Sequence, residues 1–469
     1  MALQMPESSH LVRAASVAEV EASGRLVVQV DGHAIVLFSH QGRIYAVDNR
    51  CPHMGFPLHR GSLHQGILTC HWHHARFDLA SGGTFDPWAD DVRVFPVEVR
   101  DGEVWVDLAQ RTDPAEHHRQ RLRDGLERAI PLVIAKSAIA LLAAGEDPAE
   151  PFRIGLEFGA RYRQAGWGQG LTILTCLMNL LPCLDPDDRP RALYHGLAAV
   201  AADCADSPPR FPLRPLPSAS ADPEALARVL RRFVEVRDEE GVERCIVSAV
   251  RAGADNRQMA AMLGAAATDH RYLSQGHVLD FINKALEALE HAGWQAADLI
   301  LGSLAGILAG ADRMEESGAW RHPVDLVEIV EAACEALPAA LEDGRTRRGA
   351  YAGTDGLPAV LLGDDPQAIA DALLDALRAG CGEVTLAQQV ARAAALRIAH
   401  FHTSNEFSDW DTALHTFSFA HAVSRMLARA PTVELLRGVF DAAMSVYLDR
   451  FLNVPPAPLP EPGGPVPDP

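Results

Sequence analysis

Cys51-Pro52-His53 and, further on, Cys70-His71-Trp72-His73 are the residues that most restrict how this chain can fold. Each arm carries one thiol and one imidazole within a few residues. The backbone must therefore turn tightly twice, and the two turns must face one another. Pro52 stiffens the first by fixing φ. Thiolate suits iron–sulfur chemistry and imidazole binds iron well. The set fits a two-iron, two-sulfide centre in which imidazoles replace the thiolates on one iron. Structural zinc draws on the same ligand types, but usually gathers its cysteines in one arm and its histidines in the other. One Cys and one His in each arm favour iron–sulfur, with zinc as the competitor.

The surroundings add to this. IYAVDNRCPHMGFPLHRGSL, LTCHWHHARFDLASGGTFDP and VRVFPVEVRDGEVWVDL, between Ile44 and Asp107, resemble Rieske ferredoxins over roughly residues 10–110. The resemblance implies a [2Fe–2S] cluster, with Cys51 and Cys70 on the inner ferric iron and His53 and His73 on the outer one. The ring edges of the two histidines would then be the exit for an electron. Cytochrome bc-type members carry an extra Cys in each loop, forming a disulfide clamp. Phe56 and Trp72 stand at those positions, so no such clamp is expected. High-potential members place Ser and Tyr after the second loop, where this chain has Ala75 and Phe77. Without those hydroxyls the potential is expected near the low end of about −150 to +300 mV. His74 stands where the family usually has Gly. His59, His64, His71 and His74 crowd the loops and read as surface or second-layer histidines.

A chain of 469 residues with 48% hydrophobic content is long enough for two or three domains. Short alternating runs such as RLVVQV, HAIVLFSH and EVWVDL, punctuated by Asp-Gly and Gln-Gly, predict small antiparallel sheets over residues 10–110. Residues 111–123 read as a charged linker, with Asp113 as N-cap before Pro114. Residues 124–454 are Ala/Leu-rich with helical periodicity and no strand run. ADPEALARVLRRFVEV and DDPQAIADALLDALRAG open on Asp-Pro and continue with apolar residues at i, i+3 and i+4. The prediction is a small all-β Rieske domain followed by a large all-α domain. Residues 455–469 are Pro-rich and read as an extended or disordered tail.

The net charge of −20 argues against nucleic-acid or anionic-membrane partners. No secretory signal is visible, and the apolar run Ile130–Gly145 is interrupted by Lys136 and too short to span a bilayer. Six cysteines outside the two arms show no framework spacing and read as reduced thiols of a cytoplasmic protein.

The helical half is less explicit. His270 and His277 stand two turns apart, and His400, His402, Glu406, Asp409, Asp411, His415 and His421 fall within one short stretch. Two histidines and a carboxylate with open positions suit a non-haem iron. His270, His277, His400, His402, Glu406 and His415 are therefore candidates for a second non-haem iron or haem site, although most such histidines serve packing. No pair of Glu-x-x-His motifs supports a ferritin-like di-iron site. GLEFGARYR and the His-bearing helices are similar to fragments of questin-oxidase-like proteins, too loosely to carry over a catalytic residue. Ring-hydroxylating dioxygenases also fuse a Rieske domain to a catalytic one, but ATDHRYLSQGH lacks their Asp/His spacing.

Two functions follow as expectations. One is an oxidoreductase, probable in the oxygenase class, that takes electrons from a reductase or ferredoxin and acts on a small apolar molecule. The other is an electron-transfer or redox-sensing protein whose helical domain only docks a partner or dimerises.

Overall fold

The computed structural model describes residues 11–109, 114–217, 222–349, 351, 353 and 356–459. Among these, every strand lies between Leu11 and Asp107. The strands are β1 (Leu11–Ser16), β2 (Arg25–Val30), β3 (His33–His40), β4 (Arg43–Asp48), β5 (Ser62–His64), β6 (Ile67–Thr69), β7 (Arg76–Asp78), β8 (Val94–Phe95), β9 (Val97–Arg100) and β10 (Glu103–Asp107). Helix α1 (Val17–Ser23) follows β1, started by a capping box between Ser16 and Glu19.

The strands form three antiparallel sheets, ordered β1-β10-β9, β2-β3-β4-β8 and β5-β6-β7. Four of the hairpin turns have two residues, Asp31-Gly32, Gln41-Gly42, Gln65-Gly66 and Asp101-Gly102, and φ is positive at both. That is the turn whose twist matches a hairpin, and it accounts for the dipeptides seen in the sequence. Strand β3 is buried on both faces. Val36 and Phe38 point into one apolar cluster with Leu58, Leu68, Phe77, Cys51 and Cys70. Ile35 and Leu37 point into another with Phe95, Val104 and Val106. The alternation is the period-2 pleat of a strand.

The chain divides into two compact units. The first contains the β domain and continues through helices α2 (Pro114–Glu127) and α3 (Pro131–Ala143) to Ile154, with Asp185–Ala198 added. Here the expected linker is corrected. Residues 114–123 are helical, while 111–113, including the expected cap Asp113, lie outside the described residues. The charged side chains that suggested a linker are used: Arg121 donates to the Ala89 carbonyl at 2.7 Å and pairs with Asp90 at 3.1 Å. Leu122 and Leu126, one turn apart, are buried beneath them.

The second unit contains Gly155–Leu184 and the described residues from Ala199 onward, and it is helical. Asp222 and Asp365 cap the helices Pro223–Glu235 and Pro366–Arg378, each carboxylate accepting from two first-turn amides. The helix Val433–Leu448 runs through the middle, with Leu435, Val439, Phe440 and Val446 all fully buried. Residues 207–217 of the proline-rich crossing are irregular, as expected. The start of the tail is fixed in place: His400 Nδ1 bonds the Ala457 carbonyl at 2.8 Å, and the Ala457 amide donates to the His400 carbonyl at 2.7 Å. Residues 460–469 lie outside the described residues. Among the described residues no helix is long and apolar enough to cross a membrane.

Candidate metal centre

The two Cys/His arms are loops at the ends of short strands. The first leaves β4 and the second joins β6 to β7. Their backbones follow one pattern. The Cys51 amide donates to the Phe56 carbonyl at 2.8 Å, and the Gly55 amide returns to the Cys51 carbonyl at 2.8 Å. The Cys70 amide donates to the Ala75 carbonyl at 2.8 Å, and the His74 amide returns to the Cys70 carbonyl at 3.0 Å. In both loops the fourth residue after the Cys is left-handed, with φ of 84° at Gly55 and 65° at His74. His74 thus occupies the slot where glycine is the default, which explains that departure in the sequence.

Both loops are held from behind. Asn49 accepts from the His59 amide at 2.8 Å, and its side chain also meets His59 Nδ1 at 3.0 Å. His59 is therefore a structural brace. At Gly61 the chain passes so close to β6 that a Cβ would lie 2.3 Å from the Thr69 carbonyl oxygen. A third loop leans on the first. Trp88 sets its ring 4.6 Å from that of His53, and this loop is tied by Asp86 to Arg76 through two bonds of 2.8 and 3.2 Å.

The loops bring Cys51, His53, Cys70 and His73 together. The rings of His53 and His73 lie 4.8 Å apart, nearly perpendicular. Cys51 and Cys70 are buried and free. Burial pushes the Cys51 thiol up to about 11, and the adjoining Cys70 adds to the shift. Burial, then His73 and Lys136, hold the His53 imidazole below its ordinary value. His53 Nδ1 is buried with no hydrogen-bond partner. An imidazole with an orphaned nitrogen on the same loop as one of two adjoining thiols fits a metal centre, because a bound cation would deprotonate the thiols and accept the lone pair. The two arms differ in exposure: His53 is half-buried, whereas Trp72, His73 and His74 are exposed. Between the two arms the rings of Phe56 and Trp72 meet at 6.0 Å. Ala75 and Phe77 are fully buried.

A Rieske [2Fe-2S] domain model matches residues 10–96. The ferredoxin component of the naphthalene 1,2-dioxygenase system of Pseudomonas putida is 28% identical over 99 residues, which is 21% of this chain and 95% of that protein. The ferredoxin component of naphthalene 1,2-dioxygenase/salicylate 5-hydroxylase systems of Ralstonia sp is 32% identical over 82 residues, 17% of this chain and 79% of that protein. The chain belongs to the Rieske family. Apoptosis-inducing factor 3 of Homo sapiens is 28% identical over 166 residues, 35% of this chain, but the chain spans only 25% of that protein's length. The Rieske domain implies a [2Fe–2S] cluster, and α2 and α3 lie beyond the residues that the Rieske domain model matches.

The candidate second site is not assembled as one set. His270 sits between two carboxylates, with Nδ1 2.7 Å from Glu315 and Nε2 3.0 Å from Glu235. His400 is taken by Ala457, and His402 is exposed and bonded to Ser404 at 2.7 Å. Glu406 forms a capping box with Asp409 at the start of the helix Phe407–Arg429. Only His277 and His415 meet, with rings 4.3 Å apart and Asp411 3.7 Å from His415. Burial, then His415, holds His277 below its ordinary value.

Among the described residues, three potential ligands converge at a place the sequence did not suggest. Asp90, His117 and His118 hold their ligand atoms within 4.8 Å of one another. His117 Nε2 lies 3.1 Å from Asp90 Oδ1, and Arg121 takes the same oxygen at 3.1 Å. A guanidinium already neutralises this carboxylate, so the cluster works as an ion pair joining α2 to the third loop. The adjacent histidines in EHHRQ were its only sequence signal.

Proposed function

We propose that the protein is a Rieske electron carrier in which Cys51 and Cys70 hold one iron and His53 and His73 the other. The observation that carries this reading is the buried, unpartnered His53 Nδ1, with the His73 ring against it and the Cys51 and Cys70 thiols adjoining each other, in loops of matching backbone. The bound cluster would supply storage of one electron. Cys51 and Cys70 would bury the inner iron in the apolar cluster of Leu58, Leu68 and Phe77. His73 would offer an exposed ring edge to a reductase or ferredoxin on one encounter and to an acceptor on the next. Ala75 and Phe77 give no hydroxyl to the sulfurs, which favours the low end of the Rieske range. Eight free cysteines are in keeping with a reducing, cytoplasmic setting.

The matched ferredoxins serve oxygenase systems, which supports an oxygen-activating acceptor. A second reading places that acceptor in the helical unit of this chain, as a non-haem iron or haem acting on a small apolar molecule. The close His277–His415 pair with Asp411 favours it. Iron and acid-labile sulfide per chain, measured on anaerobically purified protein, decide between them. Equal iron and sulfide support the carrier, with the helical unit docking a partner or a second copy. Iron in excess of sulfide, removed by His277→Ala with His415→Ala, supports the oxygenase. Protein loaded with zinc and free of sulfide would sink both.

A further inference from the structure

Lys136 is the only charged residue in α3, whose other side chains are almost all apolar. Its neighbours Val133, Ile134 and Ser137 are buried, and Lys136 is half-buried among them. An ammonium in such a helix needs acceptors. It finds them in the first arm, where Nζ donates to the carbonyls of both Pro52 and His53. These consecutive carbonyls flank the side chain that offers the orphaned Nδ1. The helix is held there independently: α2, which precedes it, is tied to the third loop through Arg121, His117 and Asp90. Trp88 of that loop packs edge-on against the His53 ring. The second arm has no such contact among the described residues.

We propose that Lys136 is a positioning residue for the cluster, fixing the first arm and favouring the reduced state through its charge. The inference rests on the Rieske reading. Reduction adds one electron and no atom, so the centre becomes more negative by one charge. A fixed cation in a partly desolvated place stabilises that form more than the oxidised one. The two carbonyl oxygens, themselves partial negative charges, are turned toward the ammonium and neutralised by it. Lys136 therefore works against the lowering expected from Ala75 and Phe77.

The test is a redox titration of full-length wild type, K136M, K136Q and K136R with dithionite and mediators, followed by EPR of the reduced cluster. At a fixed potential near the midpoint, K136M should show about a tenfold higher oxidised-to-reduced ratio, a fall of about 59 mV for a one-electron couple. K136R should stay near wild type, with K136Q in between. Histidine nitrogen couplings in pulsed EPR should change for one ligand and not the other in K136M. Equal midpoints and couplings in all four proteins would overturn the proposal. If K136M holds no cluster, K136Q takes its place in the comparison. If neither holds one while K136R does, the cation is required and the proposal stands. If K136R is also empty while its circular dichroism is native, the proposal falls. A wild type without the EPR signal would instead remove the Rieske reading itself.

Discussion

In the first arm the Cys51 amide reaches five residues ahead to Phe56, and in the second the Cys70 amide reaches five ahead to Ala75. Both close through a residue at left-handed φ. The difference lies in what each frame carries. The first has glycine at the left-handed position, a half-buried histidine, and Trp88 and Lys136 pressed against it. The second has His74 at that position and an exposed His73 whose ring meets those of Trp72 and His53. A ligand loop can thus be repeated for its coordination geometry while its two copies divide the other work. One is built into the protein, and the other is exposed.

The severest way to break the comparison is to remove what the arms share. Cys51→Ser and Cys70→Ser should each abolish the visible absorption of the cluster completely, because both thiols belong to one centre. Retained absorption in either variant would contradict the assignment of that arm. The left-handed position separates the arms. Gly55→Ala should cost about 1–2 kcal/mol of stability in urea unfolding, since the added Cβ also meets the Arg50 side chain at 3.2 Å. His74→Gly should change stability by less than about 1 kcal/mol, strain relief being offset by chain entropy. Equal losses in the two variants would show that the backbones are not equivalent. Phe56→Ala removes the ring contact between the arms and should cost about 0.5–1.5 kcal/mol beyond the lost area. The matching Trp72→Ala should show the same pairwise coupling in a double-mutant cycle.

The smallest effect concerns pH. The hydrogen bond to Asp90 holds the His117 imidazole above its ordinary value, with burial opposing, Asp91 assisting and Arg121 opposing. A histidine whose folded value is raised contributes fully below its unfolded value and loses that contribution as pH rises through the folded one. The melting temperature of the wild type should therefore fall relative to His117→Gln as pH rises from about 6.5 upward. A constant difference across that range would remove the ion pair as a pH-dependent anchor of α2.

The sequence made the β domain legible through local signals. Asp31-Gly32 and Asp101-Gly102 demanded hairpins, and the strand alternation showed which faces are buried. Asp222-Pro223 and Asp365-Pro366 announced helix starts in the same local way. The four Cys/His residues stood out because metal chemistry restricts spacing, and the two loops bring them together. What was hidden depends on contacts between distant residues. Lys136 showed only as a charge interrupting an apolar run, since nothing local ties it to Pro52. Residues 114–123 looked like a linker because their polar groups serve a partner surface, and only Leu122 and Leu126 reveal a buried face. In the helical unit a close spacing of histidines did not imply convergence. His400 and His402 follow the end of one helix and take separate partners, while His277 and His415 come from helices far apart in sequence.

The bonds from α2 and α3 to the third and first loops have a bearing on modularity. The recognised family region stops at residue 96, yet the surroundings of His53 extend to residue 136. A stand-alone ferredoxin cut after β10, at Asp107, would keep the three sheets and every Cys and His of both arms. It would bare the Ala89 carbonyl and the Asp90 carboxylate and lose the cation over the first arm. The stretch that the domain model matches and the stretch that surrounds His53 are thus different lengths, and on the proposed reading an excised fragment would keep the ligands and lose the cation beside them.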